Sequence, residues 1–142
     1  MPGILVGIDG SAHSHHALEW AVSEAATCHA PLTVLTVGQA VASYWGAAVD
    51  PDLTEKARDA AQQETDSVLE KTDERSRPPS VTVQAVTGMP GDELLNAAAD
   101  ADMIVLGSHG AGGFKRLLMG SVCSQVAHHA HCPVVVVPAD DL

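Results

Sequence analysis

The chain reads as an α/β protein built on a doubly wound, open parallel sheet with helices on both faces, and three observations lead there. Five short apolar runs alternate with longer stretches of helical period, the order that sets parallel strands between crossover helices. Such crossovers are right-handed, so five strands in this alternation build an open sheet covered on both sides. Finally, 142 residues suffice for one core that buries about two-thirds of the unfolded surface. Residues 1–142 are therefore expected to form a single domain.

The first strand is Ile4 to Ile8, a bare apolar run. Ala17, Leu18, Ala21, Val22 and Ala25 then recur at helical spacing, and Cys28-His29-Ala30-Pro31 ends that helix ahead of a strand from Leu32 to Val37. Asp50-Pro51 opens the second helix as a cap followed by proline, and its stripe of Leu53, Ala57, Ala60, Ala61, Val68 and Leu69 predicts a helix to about Arg75. Pro78-Pro79 breaks it, and the third strand is Val81 to Val86. Gly88-Met89-Pro90-Gly91-Asp92 turns the chain into a short helix bearing Leu94, Leu95 and Ala98. Met103 to Leu106 is the fourth strand, and a helix from about Val122 to His131 leads through Pro133 into the fifth, Val134 to Val137.

Composition narrows the function classes. Hydrophobic residues make up 46% and charged ones 18%, which excludes disorder, and no apolar run is long enough to span a bilayer. Eighteen acids against seven bases give a formal charge of −11, so neither a nucleic-acid surface nor an anionic-membrane footprint is expected. Met1-Pro2-Gly3 runs straight into the first strand without the features of a signal peptide, and the expected location is cytoplasmic. Cys28, Cys123 and Cys132 form no CxxC pair and read as reduced thiols in small-residue packing sites.

Open α/β sheets bind ligands at the carboxyl ends of their strands, and the residues placed there are distinctive. The first strand runs into Asp9-Gly10-Ser11. The fourth runs into Gly107-Ser108-His109-Gly110-Ala111-Gly112-Gly113-Phe114-Lys115-Arg116, followed by Leu117-Leu118-Met119-Gly120-Ser121. Glycines let backbone N–H groups approach a phosphate, and Ser121 at the start of the last helix adds a hydroxyl and helix-end amides. A flexible turn is the plainer alternative. Five of the seven bases, Lys56, Arg58, Lys71, Arg75 and Arg77, belong to the second-helix segment, so Lys115 and Arg116 in the glycine-rich stretch are the remaining two. In an acidic protein that placement suits a phosphate site. Asp9 either caps the following turn or faces the ligand. A carboxylate beside phosphates calls for a divalent cation, Mg²⁺ or Mn²⁺.

The spacing G-x2-G-x9-G-S, filled by Gly107, Gly110, Gly120 and Ser121, resembles the nucleotide-binding motif of the universal stress protein family. Asp9-Gly10-Ser11, the His-Ala-Leu-Glu-Trp-Ala helix, the Gly88-Met89-Pro90 turn and the closing Cys-Pro-Val-Val-Val-Val strand agree with that family in order and spacing over nearly the whole chain. The resemblance implies a Rossmann-like sheet of order 3-2-1-4-5 with ATP between the ends of strands one and four. It also implies that Asp9 and Ser11 are first-strand contacts, Asp9 near the ribose or a phosphate-bound metal, with Gly10 between them. Val37 corresponds to the residue framing the adenine. Gly107, Gly110, Gly120, Ser121 and Val122 match phosphate and ribose contacts, and Ser108 and His109 line the same loop. Because the glycine motif is complete, the ATP-binding branch of the family is the one implied.

The function expected is that of a nucleotide-binding regulator, with catalysis slow or absent, that signals through changed partner contacts. The alternatives are an adenylate-chemistry enzyme and a nucleotide-free interaction module. The Ser-Gly-Gly-x-Asp-Ser loop of ATP pyrophosphatases is replaced by Asp9-Gly10-Ser11-Ala12-His13. A receiver domain is excluded, since Val86-Thr87 and Pro138-Ala139 stand where it needs aspartate and lysine. Walker-A and Gly-x-Gly-x-x-Gly signatures are missing after the first strand. His13, His15 and His16, with His128, His129 and His131, contain i, i+3 pairs but no known metal spacing, and they read as solvated helix-end residues. Gly38 to Val49, with Tyr44 and Trp45, is expected as a lid, a partner patch or a locally packed loop. Val134 to Val137, purely apolar and at the edge of the implied order, is the expected homodimer strand.

Overall fold

A computed structural model of the chain describes residues 3–38, 41–43, 46–48, 51–108 and 121–138. In chain order the elements are β1 (Ile4–Ile8), α1 (Ala12–Cys28), β2 (Leu32–Gly38), β3 (Val41–Ser43), β4 (Gly46–Ala48), α2 (Pro51–Glu70), β5 (Val81–Thr87), α3 (Pro90–Ala97), β6 (Met103–Gly107), α4 (Ser121–His129) and β7 (Val134–Val137). Single turns of 3₁₀ helix, Glu74–Ser76 and Ala98–Asp100, precede β5 and β6.

The main sheet is five-stranded and runs β5-β2-β1-β6-β7, every neighbouring pair parallel. Counting its own strands in chain order, that is 3-2-1-4-5. Ile4 stands opposite both Leu32 and Met103, so β1 is the centre of the sheet. Side chains alternate across a strand, and β1 divides accordingly. Ile4, Val6 and Ile8 join Ala17, Leu18, Ala21, Val22 and Ala25 of α1 and Ala61 and Val68 of α2 in one core. Leu5 joins Leu35, Leu94, Ile104, Leu106, Cys123 and Val126 in the other, beneath α3 and α4. Among the described residues two helices therefore cover each face. Leu18, Leu32, Leu35 and Ile104 are fully buried, each contributing about 1.5–3 kcal/mol of apolar burial.

Helix ends follow local chemistry. Ser11 caps α1, its side chain accepting from the Ser14 amide. At the other end His29 is left-handed with φ 53°, and the Ala30 amide reaches back to Ala25 O, closing the terminal carbonyls. α2 stops at Glu70, short of the predicted Arg75. Its apolar stripe ends at Leu69, so nothing buries a further turn, and the Thr72 hydroxyl takes up the Val68 carbonyl at 2.7 Å. α4 ends at His129 rather than His131, although the Ala130 amide still bonds Val126 O.

The segment expected as a loop from Gly38 to Val49 contains an antiparallel hairpin in which Val41 pairs with Ala48 and Ser43 with Gly46. Its strands are three residues each, too short for period-two alternation to be read. Tyr44 and Trp45 lie outside the described residues. Among the described residues no helix is long and apolar enough to cross a membrane.

Candidate functional site

The site follows from the topology. After β1 the chain moves through α1 to β2 on one side, whereas after β6 it moves through α4 to β7 on the other. The carboxyl ends of β1 and β6 thus flank the point where strand order reverses, the place where such sheets leave a crevice.

On the β1 side, Asp9, Gly10 and Ser11 form one tight turn. The Asp9 Oδ1 accepts the Ser11 amide at 2.9 Å, while the Asp9 amide donates to Ser14 Oγ at 3.2 Å. Ser14 Oγ in turn donates to Ser11 O at 3.1 Å. Gly10 sits at φ 82°, left-handed backbone where a side chain is costly, with open space where a Cβ would project. Asp9 and Gly10 are exposed and Ser11 half-buried. Asp9 therefore holds the turn and also faces outward at the strand end.

On the β6 side, Gly107 and Ser108 begin the glycine-rich stretch. A Cβ on Gly107 would lie 2.6 Å from His13 C and 2.8 Å from His13 O and Ser14 N. These are backbone atoms, so the first turn of α1 packs directly on the end of β6 because residue 107 has no side chain. Ser108 is buried. Its amide donates to Val137 O at 3.0 Å, and its Oγ lies 2.8 Å from His13 Nδ1 in a hydrogen bond.

The first turn of α1 is consequently shared by both halves: Ser14 holds Asp9, and His13 holds Ser108. Val37, half-buried at the end of β2, packs with the α3 and α4 core and is aligned with Val86 across the sheet. Ser121 is the exposed first residue of α4, and Val122 packs against the same core as Val37. His109, Gly110, Lys115, Arg116 and Gly120 lie outside the described residues.

The histidines correct the expectation of uniform solvation. His13 is buried, and His15 bridges two helices, with Nδ1 2.9 Å from Glu64 Oε2 and Nε2 3.6 Å from Glu19 Oε1. The signal for His13 was present: extending the Ala17, Leu18, Ala21, Val22 stripe back by one turn lands on residues 13 and 14. Among the described residues no group of three His, Cys, Asp or Glu side chains could hold a metal ion. An exposed carboxylate such as that of Asp9 would fit a cation carried in by phosphates better than one caged by the protein.

The cysteines are free. Burial pushes the Cys123 thiol up, and burial together with the Asp102 charge pushes Cys132 up against a small opposing hydrogen bond at Ile104. Cys28 departs from the packed role expected of it. It is exposed, one turn past the buried stripe at the end of α1, and its hydrogen bond to the Glu24 carboxylate raises its thiol pKa.

The profile of the Universal stress protein family matches residues 2–138. "Universal stress protein YxiE" of Bacillus subtilis is 33% identical over 94% of this chain and 97% of its own length. "Universal stress protein Rv2623" of Mycobacterium tuberculosis is 33% identical over 98% of this chain but 48% of its own length, so the chain spans about half of that relative. Among solved structures, a universal stress protein from Lactobacillus plantarum superposes with a TM-score of 0.77 at 28% identity, covering 96% of this chain and 97% of the other. Two more distant neighbours share the fold. One is a universal stress protein in complex with cAMP, with TM-score 0.69 and 24% identity over 98% of both chains. The other, from Archaeoglobus fulgidus, is in complex with dAMP, with TM-score 0.69 and 21% identity over 96% of this chain and 98% of that one. The chain belongs to the universal stress protein family.

Proposed function

From membership of the universal stress protein family we infer that this protein binds ATP, or a related adenylate, between the carboxyl ends of β1 and β6, and that it acts as a regulator rather than a catalyst. The observation that carries this reading is the convergence of the Asp9-Gly10-Ser11 turn and the Gly107-Ser108 opening of the glycine motif on one turn of α1 at the strand-order reversal. Fold neighbours in complex with cAMP and dAMP support an adenine nucleotide as the ligand class.

In this reading Val37 frames the base, Asp9, Gly10 and Ser11 meet the ribose side, and Gly107, Ser108, His109, Gly110, Gly120, Ser121 and Val122 take the phosphates and ribose. Lys115 and Arg116 offset the negative field that a polyphosphate meets. A Mg²⁺ or Mn²⁺ ion carried by the phosphates would take Asp9 as its protein carboxylate and would neutralise phosphate charge. Residues 1–142 act as one universal stress domain in the cytoplasm. Its signal passes to a second copy along β7: Val134–Val137 is an all-valine strand at the sheet edge, and an open edge of that kind pairs with another strand.

Mass spectrometry of gently purified protein, followed by calorimetry with ATP and adenosine, tests the ligand. Co-purifying ATP and saturable ATP binding support the reading. Release of AMP and pyrophosphate on turnover would replace it with an adenylating enzyme, and absence of any nucleotide binding would leave an interaction module. Substituting Lys115 and Arg116 together by Gln should weaken ATP about ten- to a hundredfold and adenosine far less, as expected if one charge-assisted contact is lost.

A further inference from the structure

The buried pair His13 and Ser108 joins elements 95 residues apart, and the family motif assigns nothing to His13. Both side chains are nearly removed from solvent, at 9% and 5% relative exposure. A hydrogen bond in such surroundings is stronger than at the surface, and breaking it costs correspondingly more.

The geometry gives this bond a directional consequence. Ser108 is the residue through which β6 hands the chain to the glycine-rich stretch. Its backbone is held by Val137 O at 3.0 Å, its side chain by His13 Nδ1 at 2.8 Å. The preceding residue, Gly107, is pressed against the backbone of His13 and Ser14. Hydrogen bonds from β7 and α1 and the close contact of Gly107 with the α1 backbone thus help fix the orientation of a single peptide at the crevice.

We propose that His13 is a positioning residue for the nucleotide site: its hydrogen bond to Ser108 Oγ holds Ser108 in place at the end of β6, where the glycine motif opens, and so sets the affinity for the phosphate part of an adenine nucleotide. The inference rests on the nucleotide-binding reading above. His13 acts through Ser108 and is not itself assigned a ligand contact. Its imidazole is suited to the task because Nδ1 is close to the backbone of a residue already anchored in the first helical turn, whereas a longer amine or amide would pay more side-chain entropy to reach the same point.

The test is a double-substitution cycle read by calorimetry with ATP and with adenosine. His13→Leu keeps an apolar body of similar size but removes the hydrogen bond to Ser108 Oγ, and should weaken ATP about tenfold, the loss typical when a group that orients a ligand-contacting residue is removed. His13→Asn places a polar atom near the Nδ1 position and should recover affinity to within about threefold of the parent. In the S108A background, His13→Leu should change ATP affinity less than about twofold, because the partner through which it acts is gone. Adenosine should shift little throughout. Circular dichroism and thermal melting identify any variant that fails to fold; if His13→Leu does, His13→Ala read beside His13→Asn carries the test, Ala weakening ATP and Asn not, and equal ATP affinity in the two folded variants would overturn the proposal.

A purely structural role would lower thermal stability in His13→Leu while leaving ATP affinity as in the parent, and that result would overturn the proposal while the nucleotide reading stands. Equal losses from His13→Leu with and without Ser108 would overturn it too. A parent protein that binds neither ATP nor any adenylate removes the nucleotide reading, and this inference with it.

Discussion

The two ends of the sheet are built from different residues. At the amino ends the connections into β2, β5 and β7 carry proline, and the strands are stitched by backbone bonds: the Ile4 amide to Pro31 O at 3.0 Å, Leu32 to Ser80 O at 2.9 Å, Ile104 to Pro133 O at 3.0 Å and Asp102 to Gly3 O at 2.8 Å. At the carboxyl ends the chain turns through Asp9-Gly10-Ser11, Gly38, Gly88 and Gly107-Ser108, and the bonds there run largely through hydroxyls and a carboxylate. One end spends its backbone groups on its own closure. The other presents turns, hydroxyls and a left-handed glycine outward, which is where a ligand can be met without dismantling the core.

The difference can be broken from the amino end first. A Cβ on Gly3 would collide with the carbonyl oxygen of Pro31, so Gly3→Ala must push β1 and the α1–β2 connection apart. It should cost about 2 kcal/mol or more and lower the thermal midpoint by roughly 5–10 °C. ATP affinity of the folded fraction should be unchanged. A large loss of affinity at a temperature where the variant is fully folded would mean the two ends are not separable.

A change at the carboxyl end should be milder for stability and larger for binding. Ser11→Ala removes the α1 cap that accepts the Ser14 amide at 3.2 Å, and denaturant unfolding should show a loss of about 1 kcal/mol. Because Ser11 shares its turn with Asp9, ATP should also weaken. Loss of stability with full ATP affinity would assign this turn to folding alone.

The smallest effect separates exposure from reactivity at the amino end. Cys28 is exposed, yet its hydrogen bond to Glu24 and the adjacent negative charge favour the thiol over the thiolate. The thiolate is the nucleophile, so raising the pKa slows alkylation at any pH below it. Glu24→Gln removes the charge and lowers the pKa, and should speed iodoacetamide modification of Cys28 a few-fold at about pH 8. An unchanged rate would show that Glu24 does not govern this thiol.

Most of this architecture is readable in the sequence because its signals are redundant. The main strands are short stretches rich in Val, Ile and Leu set off by Gly, Pro or Asp on at least one side, and each helix carries a stripe that must be buried. Where redundancy fails, reading fails. The hairpin at Val41–Ser43 and Gly46–Ala48 has small side chains and three-residue strands, so neither propensity nor period marks it. The predicted end of α2 near Arg75 leans on the Pro78-Pro79 break, but the residues after Leu69 have no apolar surface to bury, so the helix stops at Glu70. At the site, composition and spacing point to Asp9 and the glycine motif, but the close packing of Gly107 on α1 and the pairing of His13 with Ser108 depend on two elements 95 residues apart in sequence. Its place among neighbouring histidines suggests a surface position for His13, whereas its helical phase, one turn before Ala17, matches its burial.

Hydrogen exchange with and without saturating ATP tests the central claim most directly, since it reads both ends of the sheet in one measurement. Binding at the strand-order reversal should slow exchange in the peptides spanning Ile8 to Ser14 and Leu106 to Cys123. The amino-end connections around Pro31, Ser80 and Pro133 should exchange as they do in the free protein. Protection centred on those connections, or no ATP-dependent protection between Ile8 and Ser14, would contradict a nucleotide site at the carboxyl ends of β1 and β6.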